Sequence, residues 1–433
     1  MVVVRNPVTK YFFAQERETP GQLEPTTYFS FIEKIEEVFD STGGHFIFYL
    51  DCVEIKKIKS DTTPEEFILL PSQILFCKIP RSKVFQSLGD VSTESFDGTW
   101  VKVATKRSSA IGISCQIDGV YLENSRIEVN TITPINELNP EEIEKYRNLI
   151  NSFNLEDLSE DARAYDWGEL EQRLNQFHHV GIYNVGQGNL TALCYENNLP
   201  LIYFDMGGGF GANKHTYPNR LSICVTGQPS VLLSHWHLDH IETALRSNQS
   251  HNLKWVVPLQ PIGLTHFILA YQLNQLGNLF SLDTTQIIAG LSILKCTGQV
   301  KNDSGLALLI DFEKRILLPG DSSYRRIPNL AGLQLDGLLA SHHASNRELI
   351  HNGINAIPLA NNDESMLAFS YGQGNTYPNH NPLHIIATYR QRNWGNNLYL
   401  ETPNGNIIME MNAPNLNVPC QGNMCDLALQ QHF

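Results

Sequence analysis

The chain has 433 residues, 42% hydrophobic and 18% charged, enough apolar material for two or three ordinary cores and too much for a disordered tail. Its formal charge of −14 at pH 7 excludes a uniformly basic surface of the kind that coats nucleic acid. No apolar run nears the roughly 18 residues of a membrane span, and Met1 to Gln22 intersperses Arg5, Lys10, Glu16, Arg17 and Glu18, so neither a span nor a Sec-type signal peptide is expected.

Thr27 to Phe39 spaces Phe29, Ile32, Ile35, Val38 and Phe39 in a way that predicts a helix. From His45 to about Val129 the chain reads as short strands (HFIFYL, EEFILL, SQILFCKI, TWVKVAT, AIGISCQI and VYLEN), separated by Gly, Ser, Asp and Pro. Residues 1–135 are therefore expected to form a β-rich (α+β) module. Lys78, Arg81, Lys83, Lys102, Lys106 and Arg107 give it a local basic excess. That excess suits either a nucleic-acid-presenting face or, more simply, a protein-partner or self-association module.

Residues 136–175 read as an acidic helical connector. Asn139-Pro140 opens the helix EEIEKYRNLINSF, and DWGELEQRLNQF follows. Eleven acidic and four basic groups lie between Glu137 and Arg173, a charge run that fits a solvated helix face.

Residues 176–433 alternate strands and helices: HVGIYNV, TALCYE, LIYFDMG, VLLSHWH, KWVVP, a helix near THFILAYQLNQL, then IIAG, LSILKCT, GLALLIDF, RILLPGD, GLLASHH, MLAFSY and a helix near NPLHIIATYRQR. Two layered sheets with helices outside are expected. The eight cysteines are scattered, with no CxxC pair, which suggests a reducing cytoplasmic setting. Cys420 and Cys425 alone come close together, and no second ligand pair follows to make a zinc knuckle.

Fourteen of the 15 histidines lie at or after His178, which directs the search for chemistry to this part. The densest feature is Ser234-His235-Trp236-His237-Leu238-Asp239-His240, directly after the strand VLLS. Residues two apart on extended backbone point the same way, so His235 and His237 can reach one cation. Asp239 and His240, past the turn, can reach a second. His178, His179 and His266 read as structural histidines, and nothing in the spacing of His351 or His384 recommends them as ligands.

HxHxDH after a strand resembles the hallmark of the metallo-β-lactamase superfamily, over roughly Phe177 to Met411. Asp205 in YFDMGGG, Asp321 in LLPGDSS and His342-His343 in LLASHHAS follow in the same order. More narrowly, NVGQGN, HLDH, PGD, SHHAS and SYGQGNTYPNHNP are similar to the hydrolase domain of the ComEC competence proteins and their relatives. The resemblance implies an α/β fold with an αββα sandwich. It also implies two divalent cations, Zn2+ or Mn2+, held by His235, His237, Asp239, His240, Asp321, His342, His343 and His380, with Asp321 bridging. A metal-bridged hydroxide would be the nucleophile, with Asp239, Asp321 and His343 nearest the chemistry. Asp205 is expected to orient ligating histidines.

The sequence departs from that pattern in three places: Asn189 stands where VGQGD has Asp, Ala344 where HHGS has Gly, and Asn379 where GHP has Gly. Where most superfamily members carry a third histidine for the first metal, this chain reads Lys301-Asn302-Asp303-Ser304, and Asp303 could supply an oxygen. Arg325, Arg326 and Arg347 could hold phosphate, or be solvated surface arginines.

These readings point to a phosphodiesterase or nuclease acting on DNA, RNA or a nucleotide, by analogy in DNA processing or in defence against foreign nucleic acid. A carboxylic-ester or lactone hydrolase on the same centre is one alternative. A metal- or nucleotide-binding protein without turnover, acting through its N-terminal module, is the other.

Overall fold

A computed structural model describes residues 26–40, 43–59, 62–67, 69–70, 72–81, 84, 96–107, 115–117, 127–151, 153–219, 221–345, 353–375, 382–395 and 399–410. The chain divides into two compact units. Residues 1–158 together with 261–271 form the first, and 159–260 with 272–433 form the second.

In the first unit β1 (Thr27–Asp40), β2 (Gly43–Glu54), β3 (Ser72–Pro80), β4 (Trp100–Arg107), β5 (Cys115–Ile117) and β6 (Ile127–Pro134) make one antiparallel sheet in the order β5-β3-β2-β1-β4-β6. The helix expected over 27–39 is thus a long strand. Its misleading spacing has two causes. The segment Tyr28–Lys34 is buried on both faces, and a bulge between Ile32 and Lys34 sets Ile32 and Ile35 three apart while both pack on one core.

That core holds Tyr28, Ile32, Phe48, Leu50, Leu75, Val101 and Val103. On the other face Phe29 stacks between Trp100 (4.5 Å) and Tyr146 (4.8 Å), and Trp100 stacks on Phe153 (5.2 Å). Tyr146 belongs to the helix Pro140–Asn151, which Asn139 caps through Glu142 N–H.

The segment EEFILL, read as a strand, is instead a short helix, Pro64–Phe67. Thr63 and Glu66 exchange side-chain to backbone hydrogen bonds across its first turn, a capping box with proline at the first helical position. Phe67 is drawn inward against Phe29 and Phe153. The stretch VYLEN and the pair Cys420 and Cys425 lie outside the described residues.

Residues 261–271 complete this unit. They open the helix Leu264–Gln275, whose Thr265 N–H donates to Asp51 Oδ2 (2.6 Å), and Phe267 packs edge-on against Phe153. His266 is fully buried, with Nε2 3.1 Å from Glu33 Oε1.

The second unit holds two large sheets. The first contains β7 (Glu160–Asp161), β8 (His179–Ile182), β9 (Thr191–Cys194), β10 (Pro200–Phe204), β11 (Ser230–Leu232), β12 (Trp255–Pro258), β13 (Leu279–Leu282) and, at its far edge, β23 (Ile407–Glu410). Their order is β23-β8-β9-β10-β11-β12-β13-β7. The second, ordered β14-β15-β16-β17-β19-β21-β22, contains β14 (Gln286–Ile288), β15 (Leu291–Lys295), β16 (Leu306–Asp311), β17 (Arg315–Leu318), β19 (Gly337–Leu339), β21 (Met366–Phe369) and β22 (Tyr399–Glu401). β18 (Gln334–Leu335) and β20 (Leu359–Ala360) form a small separate pair.

One apolar core joins both large sheets, with Val180, Ile202, Phe204, Leu232 and Val256 meeting Ile293, Leu308, Ile310 and Leu318. A second cluster on the β14–β22 sheet includes Leu317, Leu338, Phe369 and, from the helix Pro382–Arg390, Ile385 and Tyr389. The unit is therefore mixed α/β. β10, β11, β17 and β19 all end near the residues described next.

Candidate metal centre

Past β11 the chain runs Leu233-Ser234-His235-Trp236-His237 before the helix Leu238–Arg246. Trp236 is fully buried and anchors this turn: its Nε1–H donates to Pro258 O (3.1 Å) and its backbone N–H to Gln260 Oε1 (3.0 Å). His235 and His237 converge, with Nε2 and Nδ1 2.9 Å apart. Asp239 and His240 occupy the first turn of the helix, where exposed N–H groups favour a carboxylate.

Asp321 follows β17 through Gly320, and His342 and His343 follow β19. Together these side chains make two buried groups able to hold a cation, His235 with His237 and Asp321, and Asp239 with His240 and His343. Asp321 lies between them. Its Oδ1 is 3.1 Å from His240 Nε2 and 3.5 Å from His343 Nε2, and its Oδ2 is 3.7 Å from His235 Nε2 and 3.5 Å from His342 Nε2. One carboxylate thus faces four imidazoles, two on each side, and no hydrogen bond of good geometry reaches either oxygen among the described residues.

Asp205, at the end of β10, is the hub behind this centre. It accepts hydrogen bonds from His240 Nδ1–H (2.8 Å), Asn189 Nδ2–H (2.8 Å), Ser234 Oγ–H (2.9 Å) and Ser234 N–H (2.6 Å). Because the Ser234 hydroxyl proton goes to Asp205, Ser234 Oγ accepts from His235 Nδ1–H at 2.9 Å. His343 Nδ1–H likewise donates to Ser370 O (3.1 Å). These bonds fix three imidazoles with Nε2 turned inward, the arrangement that ligating histidines need.

Ser234 and Ser370 did not stand out in the sequence. Serine beside HxHxDH was the available signal for the first, and Ser370 acts through its carbonyl, which no motif encodes. Asn189 fills its place for a legible reason, since an amide can donate to the Asp205 carboxylate where an ionised aspartate could not. Gly207 is required here, because an added Cβ would collide with the carbonyls of Asp239 and Asn189.

The electrostatics agree with this geometry. Burial, then the neighbouring His240 and His237, holds His235 well below the ordinary histidine range. Burial would also lower His240, but the Asp321 and Asp205 carboxylates outweigh it and push His240 well above that range. Burial would raise Asp321, yet His342, His240 and His343 pull it well below the usual carboxylate range. Such a site calls for positive charge between the imidazoles, whether proton or cation.

Asn302 is buried and Asp303 Oδ1 accepts from Ser323 N–H (2.8 Å), which ties their loop to the Asp321 turn; neither residue is in the two groups. Arg325 and Arg326 are exposed on the turn Tyr324–Arg326. His380 and Arg347 lie outside the described residues. His251 Nε2 meets Ala244 O (2.9 Å), and burial with the charge of His178 brings His179 down to about 4.

No family model matches the chain, and no curated protein matches it. Among solved structures it is similar to Zn(2+)-bound PqqB from Methylobacterium extorquens, with a TM-score of 0.32 and 12% identity over 54% of this chain and 99% of that one. Fold and site together define an α/β protein with paired, buried His/Asp groups suited to divalent cations. Among the described residues no helix is long and apolar enough to cross a membrane.

Proposed function

We propose that the second unit is a metal-dependent hydrolase of the metallo-β-lactamase kind, and that it cleaves phosphodiesters in DNA, RNA or a nucleotide. The observation that carries the reading is the Asp321 carboxylate, with one oxygen facing His235 and His342 and the other facing His240 and His343. The ComEC-like series of motifs supplies the substrate class.

His235, His237 and Asp321 would hold one cation, and Asp239, His240 and His343, with Asp321, the other; His342 Nε2 lies 3.5 Å from Asp321 Oδ2. Nitrogen and oxygen donors without thiolate suit Zn2+ or Mn2+. Two such cations supply Lewis acidity and lower the pKa of water toward about 7.

This chain's own residues do the rest. Asp205 and Ser234 keep His240 and His235 in the tautomers that face inward, and Ser370 does so for His343. Arg325 and Arg326, close after Asp321, offer guanidinium groups to a phosphate. The first unit would serve as a nucleic-acid-presenting or protein-binding module.

The test is turnover of bis(p-nitrophenyl) phosphate by metal-depleted protein supplied with zinc, manganese or magnesium in turn, with His237→Ala as control. Metal-dependent release that the variant lacks supports the reading. Protein that holds metal but releases nothing overturns it. Turnover of a lactone would then select an ester hydrolase, and inactivity on both a binding role.

A further inference from the structure

His342, His343 and Ala344 are three consecutive non-glycine residues in the left-handed backbone region, at φ 51°, 52° and 64°. L-residues enter that region at a cost, and a run of three is maintained only where surroundings enforce it. The distances show what the run achieves. Consecutive residues on a strand point to opposite faces, whereas here His342 Nε2 and His343 Nε2 both face Asp321, 3.5 Å from Oδ2 and 3.5 Å from Oδ1 respectively.

Three ties hold the turn. His342 N–H donates to Gly320 O (3.2 Å) and Ser341 Oγ–H to Ser322 O (2.8 Å), both on the Asp321 loop itself. The third comes from Tyr324, at the far end of that loop: Ser341 N–H donates to Tyr324 Oη (3.1 Å), and Tyr324 Oη is paired with Tyr389 Oη at 2.8 Å. Both tyrosines are 2% exposed and sit in the apolar cluster with Leu338, Phe369 and Ile385. Two hydroxyls in such a place are costly unless bonded, and phenylalanine would fill the same volume. Their bond satisfies the second hydroxyl, and the Tyr324 oxygen is left to accept from Ser341 N–H.

We infer that Tyr324 is a positioning residue: through Ser341 it holds the left-handed turn that lets two adjacent histidines serve opposite sides of Asp321. The inference rests on the metal-binding reading above and not on the choice of substrate.

Tyr324→Phe removes only the oxygen. In metal-depleted full-length protein titrated with Co2+, the wild type is expected to take up two equivalents. Tyr324→Phe is expected to bind one of them about 10- to 100-fold more weakly, with an altered visible cobalt spectrum and unchanged far-ultraviolet circular dichroism. Tyr389→Phe, which leaves the Ser341 bond in place, is expected to change affinity by less than about 3-fold. Ala344→Gly relieves part of the backbone cost, so Tyr324→Phe is expected to lose less affinity in that background.

A Tyr324→Phe protein with wild-type cobalt affinity and spectrum overturns the inference, as does an equal loss with and without Ala344→Gly. If Tyr324→Phe alone does not fold, Ala344→Gly/Tyr324→Phe is expected to fold, and a double variant that folds no better overturns it. Wild-type protein that takes up no cobalt overturns the metal reading and this inference with it.

Discussion

Phe29 in the first unit and Asp321 in the second are almost equally shut away from solvent, yet their surroundings have opposite characters. Phe29 lies among aromatic rings, a contact that stabilises without needing any particular partner. Asp321 lies among four imidazoles, close to the further buried carboxylates Asp205 and Asp239. Burying those groups costs free energy that only a proton, a cation or a full set of hydrogen bonds can return. The Phe29 cluster thus contributes stability, whereas the Asp321 cluster holds buried charge that a cation could balance.

Substitutions can break or sharpen that contrast. The largest effect is expected for Phe29→Ala, which should lower unfolding free energy by about 3–5 kcal/mol in a urea titration while leaving metal uptake unchanged. Asp321→Ala should do the reverse. Phosphodiester turnover should fall more than about 100-fold with loss of metal, and the unfolding midpoint of metal-free protein should not drop. Equal destabilisation by both variants would erase the distinction. Asp205→Asn should lower turnover by about 10- to 100-fold, a loss read best from metal affinity measured alongside.

Two smaller effects test one site in each unit away from those clusters. Burial, and then His178, brings His179 from 6.5 down to about 4, so the unfolded chain takes up its proton first as pH falls. The stability from a neutral His179 is present above pH 6.5 and is lost between there and about pH 4. His179→Phe should remove that loss, about 3 kcal/mol across the window, in melting curves recorded at each pH. Thr63→Ala, which removes one half of a capping box in the first unit, should cost about 1 kcal/mol at any pH in the same experiment.

The sequence was most informative where chemistry is local. His235, His237, Asp239 and His240 lie within six residues, and their convergence follows from a strand end running into a helix start. Asp205, Asp321, His342 and His343 were legible through the order of strand-ending motifs. The hydrogen bonds behind them were not, because Ser370 contributes a carbonyl, and Tyr324 and Tyr389 are core tyrosines to any pattern reading. In the first unit, 27–39 misled because a strand buried on both faces has no polar alternation, and a bulge restored three-residue spacing. Thr63-Pro64-Glu65-Glu66 carried a helix-start signal that the apolar letters after it obscured. The strands β13, β22 and β23 escaped notice although Gly277-Asn278, Gly395-Asn396 and Asn404-Gly405 precede them, because three or four residues are too few to show a period.

The contribution of residues 261–271 to the first unit also has a bearing on how the protein is made. The chain leaves β12, supplies Leu264, Phe267 and Ile268 to the other unit, and only then returns for β13. On the ribosome the first unit must wait for this segment, and at about 5–20 residues per second the interval is about 5–20 s. Throughout that interval Phe153 lacks its Phe267 neighbour, so the order of synthesis leaves the aromatic cluster incomplete until this segment emerges.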